Sequence, residues 1–170
     1  MISIIRQPVI KILSLLGVVF NSYAGDSFDA IKNLQQPTAN HYAAGQPTAE
    51  QLTNLQQAGI KHVINLRPRQ EQGKLDESQL LSKTGIHYHH LPITNANDLN
   101  HSNVEQLHSL LAKIGKEKVL LHCASSNRVG ALMALRANWL QGMDATQALE
   151  LGKAYGLTTL ETAVQAKLQP

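Results

Sequence analysis

The chain has 170 residues, of which 43% are hydrophobic and 16% charged, and this composition excludes a disordered or coiled-coil protein. The length suits a single domain with a sizeable core. The formal net charge is +3, but without Arg6 and Lys11 the 15 basic residues become 13 against 12 acidic ones. Because no cluster of Lys and Arg with interleaved aromatic residues occurs either, the sequence predicts no nucleic-acid partner.

The first 24 residues have the three parts of a secretory signal peptide. Arg6 and Lys11 form a basic flank, residues 12–20 are an apolar run, and Ala24 ends a small-residue cleavage site. The apolar run has about half of the roughly 20 residues that a membrane-spanning helix needs, which argues against an anchor. We therefore expect residues 1–24 to be a signal peptide. The mature protein is then periplasmic or secreted, with no membrane contact after cleavage.

After a polar N-terminal extension over residues 25–40, a single domain is predicted over residues 41–170. Short apolar strands alternate in it with helices, two of which begin at apparent capping boxes, Thr48–Gln51 and Ser102–Glu105. The strands are expected at 41–44, 61–66, 86–93 and 118–122. The helices are expected at about 48–58, 75–84, 102–114, 129–141, 144–155 and 158–168. This alternation predicts an α/β fold with a central, mostly parallel sheet of four to five strands flanked by helices.

The only cysteine of the chain, Cys123, lies between a predicted strand and a predicted helix. A lone cysteine in an exported protein has no internal disulfide partner, so it is either an inert buried residue or a thiol kept for chemistry. The free N–H groups at a helix start and the guanidinium of Arg128 favour the second interpretation, because both attract anions and lower the pKa of a thiol. The loop from Cys123 to Arg128 is therefore predicted to bind an oxyanion beside its own nucleophile.

Three motifs extend this hypothesis: Gly45-Gln46-Pro47, Ile64-Asn65-Leu66-Arg67, and the stretch from His122 to Arg128. Together they resemble the bacterial cysteine-dependent dual-specificity and tyrosine phosphatase-like family. Its domain is also found fused to beta-lactamase-like hydrolases and is sometimes described as a sulfur transferase. The resemblance implies a cysteine-phosphatase-like fold, a phosphocysteine on Cys123, and phosphoryl oxygens held by Arg128. The loop residues implied to surround the phosphoryl group are Ala124, Ser125, Ser126 and Asn127.

The resemblance also implies supporting residues outside the loop. A general acid on a separate loop would protonate the leaving group, and Asp98 is the only carboxylate between the third strand and the next helix. An Asp before a helix is often only a cap, and Glu71 is the second choice. Arg67 would line the rim of the pocket and attract anionic substrate; the alternative is a surface charge. His122 is expected to fix the loop through local hydrogen bonds, not to act as a base.

The loop departs from the usual phosphatase pattern at three points. Four residues separate Cys123 from Arg128 where five are usual, and the shorter spacing is also that of rhodanese-type sulfurtransferases. Ser126 stands where the family usually has Gly, which costs about 1 kcal/mol if φ is positive there. Val129 stands where tyrosine phosphatases usually carry Ser or Thr. The expected function is hydrolysis of a phosphorylated protein or a small phosphomonoester. A Cys123 persulfide sulfurtransferase and a non-catalytic phosphate-binding module are the alternatives.

Three histidines on the third predicted strand, His87, His89 and His90, raise the question of a metal site. On a strand the first two share a face and the third takes the other. No cysteine or acid stands at a zinc-like spacing nearby, so the sequence predicts neither a metal nor any other cofactor.

Overall fold

The computed structural model describes residues 27–168, so the predicted signal peptide over 1–24 lies outside the described residues. The strands of the described part are β1 (His41–Ala44), β2 (His62–Asn65), β3 (His87–His90) and β4 (Val119–His122). They form one sheet in the order β1-β4-β2-β3, and every pairing is parallel. This confirms the predicted α/β class. Because β4 is central and ends at His122, the loop that carries Cys123 opens at the middle of the carboxyl edge.

The helices are α1 (Ala49–Asn54), α2 (Glu77–Leu81), α3 (His101–Ile114), α4 (Asn127–Gln141), α5 (Ala145–Ala154) and α6 (Glu161–Gln165). In residues 27–168 no helix has the length and apolar content to cross a bilayer. The capping box predicted at Thr48–Gln51 is present, with both reciprocal hydrogen bonds. The one predicted at Ser102–Glu105 is wrong: α3 begins one residue earlier, and the side chain of Asn100 accepts from the backbone N–H of Asn103 instead.

The sheet separates two apolar clusters, as the alternation of side chains along buried parallel strands requires. On one face Ile64 and Leu121 pack with α3, α4 and α5. On the other face Val63 and Leu120 pack with α1 and α2. The residues of β4 are fully buried, so the strand that leads into the cysteine loop is held from both sides.

The N-terminal extension packs against the domain. Gln35 pairs with Ala43 of β1 through two antiparallel backbone hydrogen bonds of 2.8 and 2.9 Å. Ile31 is buried, and the amide of Asn33 donates to the carbonyl of Ser125 at 3.1 Å. The extension therefore reaches the outer side of the cysteine loop.

Candidate active site

The cysteine loop connects the central strand to α4, the longest helix within residues 27–168. Cys123 directly follows β4, has no exposed surface, and donates its backbone N–H to Ala44 at 3.3 Å. Helix α4 begins at Asn127, two residues before the predicted start, so Arg128 lies in its first turn. The first N–H groups of a helix have no intrahelical partner and carry the positive end of the helix dipole. The loop therefore combines the backbone donors of a helix start with a guanidinium, a combination that favours the binding of an anion.

Ser126 adopts the left-handed backbone conformation, so the positive φ considered for this position is present. Its φ is +71°, it precedes α4 as the N-cap, and its side chain makes no capping bond. The hydroxyl donates instead to the carbonyl of Tyr155 at 2.9 Å, inside the protein. Next along the chain, Gly156 has a φ of +90°, and a Cβ there would lie 2.6 Å from the Cβ of Ser126. Only glycine at position 156 lets the two segments approach this closely.

Asn127 ties the loop to the connection between α5 and α6. Its Oδ1 accepts the backbone N–H of Thr158 at 2.8 Å and that of Leu160 at 3.3 Å, and its Nδ2 donates to Thr159 Oγ1 at 2.8 Å. Asn127 was predicted to contact phosphate, but the structure uses both ends of its amide inside the protein. No sequence pattern indicates these partners, which lie some thirty residues away along the chain.

Arg128 is held by Glu71 and by the backbone carbonyl of Ile93, which lies three residues after the end of β3. Its Nη1 donates to Glu71 Oε1 at 3.0 Å and to the Ile93 carbonyl at 2.7 Å, and its Nη2 donates to Glu71 Oε2 at 2.6 Å. A guanidinium has five N–H donors in a planar fork. The remaining donors, Nε–H and one Nη2–H, form the lateral edge of the guanidinium, an edge whose geometry suits two oxygens of one anion. Arg128 also forms a side-chain hydrogen bond with Cys123.

The charge of Arg128 is secured by its surroundings. Burial alone lowers the pKa of the guanidinium, but the hydrogen bonds and charge of Glu71 and of Cys123 raise it above its ordinary value. Only 12% of the Arg128 side chain is exposed, against 35% of Glu71. The loop thus contains a permanently charged arginine beside the only thiol of the protein.

A buried carboxylate, Glu77, lies on the other side of the loop, and sequence reasoning missed it. Its Oε1 accepts from Gln46 Nε2 at 2.7 Å. Its Oε2 accepts from Asn65 Nδ2 at 3.0 Å and lies 3.0 Å from His122 Nε2. Burial raises the pKa of Glu77, but the bonds from His122 and Gln46 and the charge of Arg67 bring it below the ordinary value, so the side chain is ionised. One residue from each of the three motifs therefore meets at Glu77.

Arg67 joins this network and does not stand free at the rim. Its Nη1 donates to Gln46 Oε1 and its Nη2 donates to the backbone carbonyl of Glu71. Its Nε lies 3.7 Å from Glu71 Oε2, and only 14% of its side chain is exposed. The structure therefore places Arg67 between the Gln46 amide and the Glu71 segment, where it supports the site from behind.

Asp98 caps its own turn. Its Oδ2 accepts the backbone N–H groups of Thr94 at 2.7 Å and of Asn95 at 3.3 Å. The structure thus brings Cys123, Arg128 and Glu71 together, and it places Asp98 on a separate loop after β3.

The signal that could have found Glu77 is the polarity of Gln46, Asn65 and His122 at the ends of buried strands, because buried polar groups need partners.

Of the three strand histidines, His87 stacks on the ring of His62, and the other two form hydrogen bonds with protein groups. His89 Nε2 lies 3.1 Å from Nδ1 of His62, whose Nε2 lies 2.7 Å from Glu117 Oε2. His90 Nε2 donates to the carbonyl of Arg67 at 2.7 Å. In the described residues no three His, Cys, Asp or Glu side chains are grouped so as to hold a metal ion.

Comparison with known proteins decides the family. The family described as "DSP-PTPase phosphatase fused to NAD+ Kinase" matches residues 15–169. The chain belongs to this family. It is a phosphatase-like enzyme of the cysteine-dependent dual-specificity and tyrosine type, as the three motifs predicted. A search of curated proteins found no match.

Solved structures agree with this assignment. A DUF442 protein of Shewanella putrefaciens CN-32, described as a candidate phosphatase, is 26% identical over 84% of this chain and 97% of its own, with a TM-score of 0.65. TpbA of P. aeruginosa is also 26% identical, over 79% of this chain and 82% of its own, with a TM-score of 0.61. Tk-PTP, at 18% identity and a TM-score of 0.60, shares the fold over 79% of this chain and 94% of its own.

Proposed function

We propose that this phosphatase hydrolyses phosphomonoesters in two steps through a phosphocysteine on Cys123. The observation that carries the proposal is Arg128, which is charged, fixed by Glu71 and Ile93, and hydrogen-bonded to the Cys123 thiol. In the first step Sγ attacks phosphorus, the bond from phosphorus to the ester oxygen breaks, and the leaving oxygen takes a proton. In the second step water attacks phosphorus and gives a proton to the proton donor of the first step. The S–P bond breaks with its electron pair on sulfur, which releases inorganic phosphate and restores the thiolate.

Several groups of the loop stabilise the negative charge of the transferred phosphoryl group. The lateral edge of Arg128 and the first N–H groups of α4 stabilise the negative charge on the phosphoryl oxygens. Because Arg128 is already held in place, little reorganisation is needed when the phosphoryl group is transferred. Ser126 and Asn127 shape the loop through their bonds to the segment after α5.

Asp98 is the proposed proton donor for the leaving group. Both carboxylate oxygens of Glu71 are already engaged by Arg128, which leaves Glu71 poorly suited to protonate a leaving group. Asp98 is anchored through one oxygen, Oδ2, by two backbone N–H groups. Asp98→Asn should slow phenyl phosphate, whose leaving group needs the proton, far more than p-nitrophenyl phosphate. Glu71→Gln should slow both substrates equally, and equal slowing by Asp98→Asn would refute its role.

The substrate is proposed to be a phosphorylated protein or a small phosphomonoester, including an aryl phosphate. The support comes from a relative. A Cys-to-Ser variant of TpbA, which is 25% identical to this chain, has been crystallised with phosphotyrosine. A phosphotyrosine peptide and a phosphoserine peptide of the same sequence, assayed side by side, measure the preference directly.

One paired assay tests the function itself. Wild type and Cys123→Ser are compared for hydrolysis of p-nitrophenyl phosphate and for sulfur transfer from thiosulfate to cyanide. We expect wild-type hydrolysis that Cys123→Ser abolishes, while tungstate binding persists in the variant because Arg128 is intact. Absence of hydrolysis in the wild type would overturn the proposal. Sulfur transfer that depends on Cys123 would favour the sulfurtransferase alternative.

We also propose that the protein is exported and acts in the periplasm or outside the cell. The support is the basic flank, apolar run and small-residue cleavage site in residues 1–24. Expression of the full chain in a Gram-negative bacterium should give a periplasmic protein whose N-terminus, read by mass spectrometry, is Gly25. A cytoplasmic protein that retains Met1 would contradict export.

A further inference from the structure

The carboxylate of Glu77 is completely enclosed by protein. Its side chain and that of His122 both have 0% exposed surface. Both of its oxygens are engaged, one by Gln46 and the other by Asn65 and His122. A buried charge is costly unless it is paired and hydrogen-bonded, and such a cost is seldom kept where an apolar residue would serve. An apolar residue at this position would leave the donors of Gln46, Asn65 and His122 without their acceptor, so the role of the carboxylate lies in what it does for these three side chains.

The first consequence of Glu77 concerns the ring of His122. An ionised carboxylate only accepts hydrogen bonds, so the hydrogen between the two groups belongs to His122 Nε2. The other ring nitrogen, Nδ1, is buried and has no partner within residues 27–168. Glu77 therefore supplies the single hydrogen bond that orients this ring. His122 is the last residue of β4 and is bonded directly to Cys123.

The second consequence extends to the arginine at the other end of the loop. Gln46, which donates to Glu77, accepts from Arg67, and Arg67 donates to the backbone carbonyl of Glu71. The Glu71 carboxylate in turn holds Arg128. These bonds run from His122 beside the nucleophile, through Glu77, to Arg128, and the cysteine loop itself closes them into a ring.

We propose that Glu77 is a positioning residue that fixes the position of the Cys123 thiol relative to the Arg128 guanidinium. At one end of the loop it orients His122, and at the other it anchors the chain of hydrogen bonds formed by Gln46, Arg67 and Glu71. The proposal rests on the proposed function, because the relative position of the thiol and the guanidinium matters only if both act on the same phosphoryl group. Glu77 touches no substrate, so it acts through the residues that do. Errors of about 1 Å in such geometry lower turnover by as much as about 100-fold.

The test compares Glu77→Gln with Asp76→Asn in the full chain. Both replace a carboxylate by an amide at the start of α2, but Asp76 is exposed and only caps the helix by accepting from Gln79 at 2.9 Å. Three quantities are measured: kcat and KM for p-nitrophenyl phosphate, tungstate affinity by calorimetry, and circular dichroism as a check of folding. Glu77→Asp, which keeps the charge, tests rescue.

We expect Glu77→Gln to lower kcat and tungstate affinity at least 10-fold with KM changed less than 3-fold, and Asp76→Asn to change each quantity less than 2-fold. Glu77→Asp should recover part of both losses. Changes under 2-fold in a folded Glu77→Gln protein would overturn the proposal, and so would a loss that appears in KM alone, because that pattern indicates substrate contact.

A measurement on the wild type keeps the proposal testable if Glu77→Gln fails to fold. Long-range nitrogen–proton NMR should show the hydrogen of His122 on Nε2, and a ring protonated only on Nδ1 would refute the role of Glu77. Failure of the proposed function has a different signature. In that case the wild type does not hydrolyse the phosphoester, whether or not it binds tungstate, while His122 still carries its hydrogen on Nε2.

Discussion

The left-handed backbone at Ser126 makes a prediction about stability that can be worked from the structure. An L-residue at a φ of +71° costs about 1–2 kcal/mol, and the bond from Ser126 Oγ to the Tyr155 carbonyl returns about 1 kcal/mol. Ser126→Ala keeps the strain and loses the bond, so we expect a destabilisation of about 1–2 kcal/mol. Ser126→Gly loses the bond and adds about 0.5–1 kcal/mol of unfolded-state entropy, but it relieves the strain. Ser126→Gly should therefore be within about 1 kcal/mol of wild type and more stable than Ser126→Ala by about 0.5–1 kcal/mol.

Urea unfolding at equilibrium measures this difference, provided that the slope with denaturant is the same for all variants. Ser125→Ala is the matched control, since Ser125 is the adjacent loop serine and has no positive φ. We expect Ser125→Ala to change the free energy of unfolding by less than about 0.5 kcal/mol. If Ser126→Gly proves less stable than Ser126→Ala, strain at this position does not outweigh the entropy of glycine, and the reasoning is refuted.

Three further predictions concern the surroundings of the loop. Glu71→Gln removes a charge-assisted pair with Arg128, which is worth about 1.5–3 kcal/mol, so kcat/KM should fall about 10- to 150-fold. An unchanged kcat/KM would contradict the role given to Glu71. Gly130→Ala would place a Cβ 2.3 Å from the backbone nitrogen of Leu157, and it should destabilise the protein by at least about 2 kcal/mol in urea unfolding. The folded pKa of Glu77 lies below the ordinary value of 4.5, so its stabilisation is complete above that pH and is lost as the pH falls through the folded pKa. Unfolding free energy measured from pH 6 to pH 3 should therefore fall more steeply for wild type than for Glu77→Gln.

The parts of the fold that could be predicted are those set by local pattern. The short apolar runs before Asn65 and His122 are too short for helices and are bounded by turn residues, so they identify buried strands. The position of Cys123 at the carboxyl edge follows from the parallel sheet. The start of α3 could not be fixed in this way, because Asn100 and Ser102 are both good N-caps. The fold uses Asn100, whose side chain accepts a hydrogen bond from the backbone N–H of Asn103.

The contacts that support the loop could not be predicted, because they depend on packing between segments far apart in the chain. Asn127 was predicted to contact phosphate, yet its side-chain amide bonds to Thr158 and Thr159. That arrangement exists only because α4 and α5 pack closely. Glu77 lies in the first turn of α2, where acids are common because they interact favourably with the helix dipole, so its position in the sequence carries no sign of its role. Only the closeness of Gln46, Asn65 and His122 in space reveals it as their shared acceptor.

If the ring of bonds around the loop acts as one unit, its two carboxylates must be coupled. Glu71 holds Arg128 and Glu77 holds His122, and Arg67 and Gln46 connect them. Once Glu77→Gln has broken this chain of hydrogen bonds, Glu71→Gln disturbs a loop that is already less well ordered, so its own effect on kcat is smaller. In a double-mutant cycle on kcat, the combined loss should therefore be smaller than the sum of the single losses by about 0.5–3 kcal/mol. If the two losses add to within about 0.3–0.5 kcal/mol, each carboxylate serves its own end of the loop independently. That result would contradict the coupling that the bonds of Arg67 to Gln46 and to the Glu71 carbonyl predict.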